Sequence, residues 1–138
     1  MDGKGRPLAI TLTPGQRHES TQLRTLLDGI RVPRPDGVGR PRKRPDYLLA
    51  DRGYSYPTCR RTLRRRGIAH TIPTRSDQRG RPGRPVGFDR ERYRQRNVVE
   101  RAIARLKQHR AIATRYDKLA VSYHSWLVLA ALVLWLPA

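Results

Sequence analysis

Two acidic residues lie in settings where a carboxylate could take part in catalysis. Asp51 directly follows the apolar run Tyr47-Leu48-Leu49-Ala50 and precedes a glycine turn. Glu100 is the only acid between Arg92 and Tyr116, a span rich in Arg and Lys. Two carboxylates brought together from a strand end and a helix can hold hard divalent cations, which prefer oxygen ligands. Such ions can activate the attacking oxygen and stabilise the leaving oxygen in phosphoryl transfer.

Each acid also has an ordinary structural interpretation. An acid at the end of a buried strand is a usual place for function in an open α/β sheet. The same Asp51 is equally suited to cap the turn or helix that follows it. Glu100 could simply pair with Arg96 on a solvated basic helix, an interaction that contributes a few tenths of a kcal/mol. These alternatives stay open on position alone.

One helix over residues 89–107 is predicted to position Glu100. At about 100° per residue, Tyr93, Arg96, Glu100 and Lys107 fall within an arc of roughly 60°. An adjoining face has the helical spacing of a buried stripe. That stripe comprises Val99, Ala102, Ile103 and Leu106.

The remaining pattern predicts strands that alternate with helices. Residues 8–13 and 47–50 have the composition of strands, and residues 68–73 of a third. Asp2-Gly3-Lys4-Gly5 has the composition of a hairpin turn. Helices are predicted from about residue 20 to 30, from Pro57 to just before Gly67, and over about 119–136. This order is typical of an α/β fold.

Two basic loops rich in Pro and Gly separate these elements, at about 31–46 and 76–88. The second contains Arg79-Gly80-Arg81-Pro82, followed by Arg84. It is either a basic linker or an AT-hook-like segment, in which an extended Arg-Gly-Arg enters a narrow A·T minor groove. Arg79, Arg81 and Arg84 are therefore weaker candidates for DNA binding.

Charge indicates a polyanionic partner. The 138 residues contain 30 Lys and Arg against 11 Asp and Glu, a net charge of +19. A compact domain with that charge repels itself, so nucleic acid is the first expectation. Arg predominates over Lys, which suits bidentate hydrogen bonding to phosphate.

Compartment and membrane signals favour the cytoplasm. Cys59 is the only cysteine, which excludes an intrachain disulfide and suits a reducing cytosol. The first residues have no apolar core of a signal peptide. The apolar run at 126–136 is shorter than the roughly 18–20 residues that span a bilayer, and it predicts a buried core helix rather than a membrane anchor.

Two motifs give the chain a family resemblance. Leu-Leu-Ala-Asp-Arg-Gly-Tyr at 48–54 resembles the strand with the second catalytic Asp of DDE transposases of bacterial insertion sequences. Tyr93, Arg96, Glu100 and Lys107 match the Tyr-x2-Arg-x3-Glu-x6-Lys signature of the same class. Flanking stretches at 5–9, 12–16 and 113–118 are also similar to the family, so the resemblance covers nearly the whole chain.

The resemblance implies a ribonuclease-H-like catalytic domain. Asp51 and Glu100 would be the second and third metal-binding carboxylates, with Mg²⁺ or Mn²⁺ as the cofactor. Tyr93, Arg96 and Lys107 would contact DNA or orient the site. Further DNA contacts are expected from the neighbouring cations Arg101 and Arg105. The implied reaction is hydrolysis of a phosphodiester at a transposon end, followed by attack of the freed 3′-hydroxyl on target DNA.

The family's first catalytic Asp has no match here, because it lies on a strand upstream of the turn at Asp2-Gly3. We therefore expect a catalytic domain truncated at its N-terminus, occupying residues 1–138 and inactive alone. It would be either a decayed copy or the second frame of a split gene. Further partners would be the missing N-terminal part of a transposase or a second copy of the chain, within the bacterial nucleoid. The alternative function is a non-enzymatic basic DNA-binding protein.

Overall fold

The computed structural model describes residues 1–78, 80, 82, 86–114 and 117–136. The chain divides into two compact units, Thr13–Arg96 and a second one formed by Met1–Leu12 with Asn97–Ala138. Helices predominate, and the sheet in the described residues is a small parallel one. The predicted α/β class is confirmed at this level.

The unit Thr13–Arg96 is built on a strand–helix–strand segment. β1 (Tyr47–Leu49) pairs in parallel with β2 (Ala69–Thr71), and α2 (Pro57–Arg65) connects them. Proline suits the first turn of a helix because it has no backbone N–H to leave unpaired. Gly67 follows α2 with a φ of 63°, the left-handed conformation that commonly ends a helix.

Its core lies between the two strands and two helices. α1 (Leu23–Gly29) follows a short 3₁₀ helix at Glu19–Gln22. Leu23 and Leu27, four residues apart on one face of α1, are both buried, as the spacing predicted. The buried apolar cluster consists of Leu23, Leu27, Cys59, Leu63, Ile68 and Ile72.

Three helices form most of the second unit. They are α4 (Asn97–Lys107), α5 (Arg110–Thr114) and α6 (Ala120–Val133). Leu106, Ile112 and Ala130 form a small buried cluster where they meet. The Tyr123 hydroxyl on α6 donates to the Ile112 carbonyl on α5 at 3.1 Å.

The helix predicted over residues 89–107 is two helices, and the prediction of one is wrong. α3 (Arg90–Arg94) ends at a tight turn, and α4 begins at Asn97. The backbone N–H of Arg96 donates to the Tyr93 carbonyl at 3.0 Å, three residues back rather than four. Arg96 thus lies in a turn, and the shared face predicted for four residues applies within α4 only, to Glu100 and Lys107.

The strand predicted over residues 8–13 is also wrong. These residues are all described and form no strand. A strand requires a neighbour for its ladder, and β1 and β2 pair only with each other in the described part of the chain. The turn predicted before it is present, with Gly5 at a φ of 82°.

α6 is not the buried core helix that its composition predicted. Ala130 and Ala131 are its buried residues, whereas the side chains along its opposite face are exposed. The exposed apolar residues include Val121, Trp126, Val128, Leu129, Leu132 and Val133. Within the described residues α4 and α5 contact α6. Among the described residues, no helix combines the length and the hydrophobicity that a membrane span needs.

Candidate active site

Asp51 lies in a tight turn at the carboxyl end of β1. The strand pairing continues one residue past β1, because Ala50 N–H donates to the Thr71 carbonyl at 3.3 Å. Asp51 Oδ1 then accepts the Gly53 N–H at 2.9 Å, which caps the short 3₁₀ helix Arg52–Tyr54. A Cβ atom on Gly53 would lie 3.0 Å from Asp51 Oδ1, so glycine lets the carboxylate fold back this closely.

The second oxygen of that carboxylate faces Arg96. Arg96 Nη2 lies 3.8 Å from Asp51 Oδ2, too far for a hydrogen bond and close enough for an ion pair. The Asp51 side chain remains 41% exposed. Asp51 is therefore both a cap and an accessible carboxylate, because each role uses a different oxygen atom.

Arg92 on α3 and Arg96 in the turn after it each lie against an aromatic ring. Arg92 stacks over the Tyr47 ring of β1, with its guanidinium carbon 4.5 Å from the ring centroid. The guanidinium of Arg96 lies 6.0 Å from the Tyr93 ring, and that ring is 5.2 Å from Phe88. Such cation–π contacts contribute roughly 0.5–1 kcal/mol each at exposed sites. Within this unit Arg96 thus lies close to both Asp51 and Tyr93.

Tyr54, the last residue of the motif at 48–54, also lies near this site. Its ring packs against the core of the unit. Burial, and then the negative charges of Glu19 and Asp51, raise the pKa of Tyr54 to about 12.

The other predicted site residues lie on α4, in the second unit. Glu100 and Lys107 are seven residues apart and share one face of α4. Arg101 and Arg105 are four residues apart on a neighbouring face. All four side chains are exposed. Arg79, Arg81 and Arg84 lie outside the described residues.

The site has the donor chemistry of a divalent-cation site without a ready-made ligand cluster. Among the described residues no three His, Cys, Asp or Glu side chains lie close enough to hold a metal ion together. The carboxylate of Asp51 is accessible, and its oxygens are the ligand type that Mg²⁺ and Mn²⁺ prefer. Asp51 therefore fits the role of one ligand.

A basic cavity on the second unit was also missed. It has a volume of about 280 Å³ and lies between the N-terminal turn and α4. Arg101 and Arg105 line it together with Lys4 and Gly5. The sequence predicted the turn, but nothing in the pattern predicted that the turn packs on α4.

Comparison with known proteins agrees with the family resemblance. The family described as "Transposase DDE domain" matches residues 1–136. A Burkholderia cepacia protein, named as a transposase for insertion sequence element IS402, is 36% identical over 136 residues, which are 97% of this chain and 59% of that protein. A Brucella ovis protein, named as a transposase for insertion sequence element IS6501, is 29% identical over 140 residues, 99% of this chain and 93% of that protein.

The chain thus spans less than two thirds of the first relative's length and nearly all of the second's. No solved structure matches the chain. The family resemblance inferred from the motifs is confirmed: the chain belongs to the DDE transposases of bacterial insertion sequences.

Proposed function

We propose that this chain acts in DNA transposition, as part of a ribonuclease-H-like catalytic domain for metal-dependent cleavage and transfer of DNA strands. The observation that carries the proposal is the approach of Arg96 to Asp51, 3.8 Å between Nη2 and Oδ2. These residues come from two separate motifs of the family, and they meet at the carboxyl end of a parallel strand, where α/β folds commonly bind ligands.

Each residue has a role in this proposal. Asp51 and Glu100 supply carboxylate oxygens for Mg²⁺ or Mn²⁺, which when bound provides Lewis-acid polarisation of the scissile phosphate. Arg96 holds the Asp51 carboxylate in place. Tyr93 and Lys107 contact the DNA backbone near the reacting phosphate, and Arg101 and Arg105 bind the same strand further away.

The substrate is DNA, at transposon ends and target sites. A net charge of +19 favours a polyanion, and arginine suits contacts with phosphate oxygens. The family mechanism inferred from the motifs uses three carboxylates, and two are matched here. We therefore expect no strand cleavage by this chain alone. Activity would require a third carboxylate, and assembly with a second copy is part of the same proposal.

Metal binding tests the assignment of the two carboxylates. The chain is titrated with Mn²⁺ and followed by electron paramagnetic resonance of the free ion. Asp51→Asn and Glu100→Gln are each expected to weaken Mn²⁺ binding, whereas Asp36→Asn, in an exposed loop, serves as the matched control and leaves it unchanged. Equal binding by all four proteins would remove the basis for the two metal ligands.

A nicking assay tests the expected inactivity. The substrate is duplex DNA taken from both sides of the gene, where the ends of the element would lie. No nicking is expected with Mg²⁺ or Mn²⁺. Nicking by the chain alone that disappears with Glu100→Ala would show that the two matched carboxylates suffice.

A non-enzymatic DNA-binding role is the second candidate, and the basic loops favour it. Purely electrostatic binding would weaken steeply with salt and ignore base composition. An AT-hook at 79–82 would instead prefer A·T tracts, and Arg81→Ala would abolish that preference. If the wild-type chain binds Mn²⁺ at Asp51 but does not bind DNA, this second role is excluded.

A further inference from the structure

The cavity beside α4 has a wall of cationic side chains. Its described lining contains Lys4, Arg101 and Arg105 and no acidic residue. A volume of about 280 Å³ far exceeds the roughly 10–15 Å³ of accessible space that one water molecule needs. The cavity therefore has room for a polar ligand and favours an anionic one.

A hydrogen-bonded turn holds Lys4 at the cavity. Asp2 Oδ1 accepts the backbone N–H groups of Lys4 and Arg6, both at 2.9 Å. Asp2 Oδ2 accepts from Arg6 Nε at 2.8 Å and lies 2.6 Å from Arg6 Nη2. The Asp2 charge is thus compensated by Arg6, which leaves the positive field of Lys4 to act in the cavity.

Gly5 lets this turn pack closely on α4. A Cβ atom at Gly5 would lie 3.2 Å from Val98 Cγ1 and 3.3 Å from Ala102 Cβ. The φ of 82° is also one that residues other than glycine rarely adopt. The cavity therefore depends on a specific backbone approach rather than on surface charge alone.

Trp135, two residues after the end of α6, contacts Arg6 and Pro7 beside the same turn. Trp135 Nε1 donates to the Pro7 carbonyl at 3.0 Å. The Arg6 guanidinium carbon lies 4.4 Å from the centroid of the Trp135 ring. These contacts hold the segment that follows Lys4 in place, so the position of the Lys4 backbone at the cavity is also restricted.

A second basic cavity, on the other unit, differs in its charge. It is lined by Arg31, Lys43, Arg44 and Arg66 together with Asp28. Asp28 already accepts from Arg66 at 2.8 Å. Part of its positive charge is therefore neutralised internally, whereas the described lining of the cavity beside α4 contains no such acid.

We propose that the cavity lined by Lys4, Arg101 and Arg105 binds one backbone phosphate of DNA. Arg101 and Arg105, one turn apart on α4, grip the phosphate oxygens, and Lys4 adds a third cationic donor from the turn. This inference rests on the proposed function for its ligand class. It adds a defined anchoring point, with Lys4 as a contact residue outside the family signature.

Salt-dependent DNA binding tests the proposal. Fluorescence anisotropy with a labelled 20-base-pair duplex is measured over a range of NaCl concentrations for the wild-type chain and Arg101→Ala/Arg105→Ala. The matched control is Arg61→Ala/Arg65→Ala, which removes two exposed arginines four residues apart on α2. Circular dichroism establishes that each variant is folded.

The expected result is a loss of about tenfold or more in affinity for the cavity variant and less than about twofold for the control. One neutralised phosphate contributes about 0.9 to the slope of log affinity against log salt, so the slope should fall by about one. Lys4→Ala should weaken binding in the same direction. Arg101→Lys/Arg105→Lys, which keeps the charge, should retain most of the affinity.

Two other outcomes overturn the inference in distinguishable ways. If both double-alanine variants lose the same affinity, binding is diffuse and the cavity has no special role, while the proposed function stands. If the wild-type chain fails to bind DNA, the proposed function and the inference both fail.

A variant with unchanged charge separates the effect of the cavity's geometry from that of electrostatics. Gly5→Ala should weaken DNA binding if the cavity binds phosphate. Normal DNA binding by folded Gly5→Ala protein would contradict the inference.

Discussion

Arg96 Nη2 lies 3.8 Å from Asp51 Oδ2, while the other oxygen of that carboxylate accepts the Gly53 N–H at 2.9 Å. This relationship joins the turn after β1 to the turn after α3. The two oxygens of the Asp51 carboxylate therefore have different roles: Oδ1 stabilises the local fold, and Oδ2 faces the guanidinium of Arg96. Substitutions can separate the two roles.

Asp51→Ala should destabilise the chain more than Asp51→Asn or Arg96→Ala. Alanine removes the capping oxygen, a loss of about 1 kcal/mol, whereas asparagine keeps a capping acceptor. The exposed pair with Arg96 contributes from nothing to about 1 kcal/mol. Urea unfolding followed by circular dichroism measures the free energies. If Asp51→Asn is as destabilising as Asp51→Ala, the ion pair rather than the cap dominates.

Tyr54 should give the chain a late alkaline titration. Burial first, then the charges of Glu19 and Asp51, raise its pKa to about 12, against about 10 for an unperturbed tyrosine. The folded state therefore holds the proton that the unfolded state releases, so stability is full below pH 10 and is lost as pH rises towards 12. Absorbance at 295 nm should show one late tyrosine that Tyr54→Phe removes and Tyr56→Phe retains.

Asp51→Asn offers a second check on the same group. Removing the Asp51 charge should lower the pKa of Tyr54, since that charge is one of the causes of its elevation. Asp36→Asn serves as the control. An unchanged Tyr54 titration in Asp51→Asn would mean that burial and the other charges account for the whole effect.

Local pattern was sufficient for much of the unit that holds Asp51. The structure contains the features that three local signals predicted: the spacing of Leu23 and Leu27, Pro57 in the first turn of α2, and Gly67 after its end. Asp51 was expected at a strand end, and it lies there. These features could be predicted because each depends on residues close together in the chain.

Other features depend on contacts that sequence spacing does not encode. The helical pattern of residues 89–107 continues through Gln95 and Arg96, yet the chain turns there and Arg96 reaches Asp51. The strand pattern at residues 8–13 has no ladder partner among the described residues. The approach of Gly5 to Val98 likewise depends on tertiary packing. Pattern alone could suggest the site residues but not their arrangement.

The exposed apolar face of α6 should bind hydrophobic probes. Val121 is 78% exposed and Leu132 54%, and contiguous exposed apolar surface marks an interaction site or a source of aggregation. Leu129→Glu/Leu132→Glu should reduce fluorescence of bound anilinonaphthalene sulfonate and reduce light scattering, with helix content retained. The control is Ser125→Glu, which adds charge on α6 without removing an apolar side chain. Equal probe binding by wild type and the double variant would contradict the exposure of this face.

Asp2 should make the second unit sensitive to acid. Burial raises the pKa of the Asp2 carboxyl. Hydrogen bonds from the Arg6 side chain and from the backbone of Arg6 and Lys4 together lower that pKa by more than burial raises it, so the net pKa lies below its ordinary value. Its stabilising contribution is then present above the unfolded pKa of about 3.9 and is lost as pH falls through the folded pKa.

Asp2→Asn should therefore show a shallower loss of stability than wild type when pH falls below about 4. Tryptophan fluorescence during urea unfolding reports on this unit, because Trp126 and Trp135 both lie in it. Asp36→Asn should follow the wild-type curve. If the free energy of unfolding falls equally with pH for wild type and Asp2→Asn, ionised Asp2 does not stabilise the turn.

Arg60 should contribute to the stability of the unit that holds Asp51, although most of the described arginines are solvent-exposed. It is 6% exposed, and its Nη2 donates to the Ile72 carbonyl at 2.8 Å while Nε donates to the Ser55 carbonyl at 3.4 Å. Arg60→Met keeps similar bulk but leaves these carbonyls without their donor, at about 1–3 kcal/mol for a buried unsatisfied group. The neighbouring Arg61→Met, at an exposed position, should change the free energy of unfolding by no more than about 0.5 kcal/mol. Urea unfolding of both variants measures the difference, and equal effects would mean that the Arg60 hydrogen bonds do not stabilise the core.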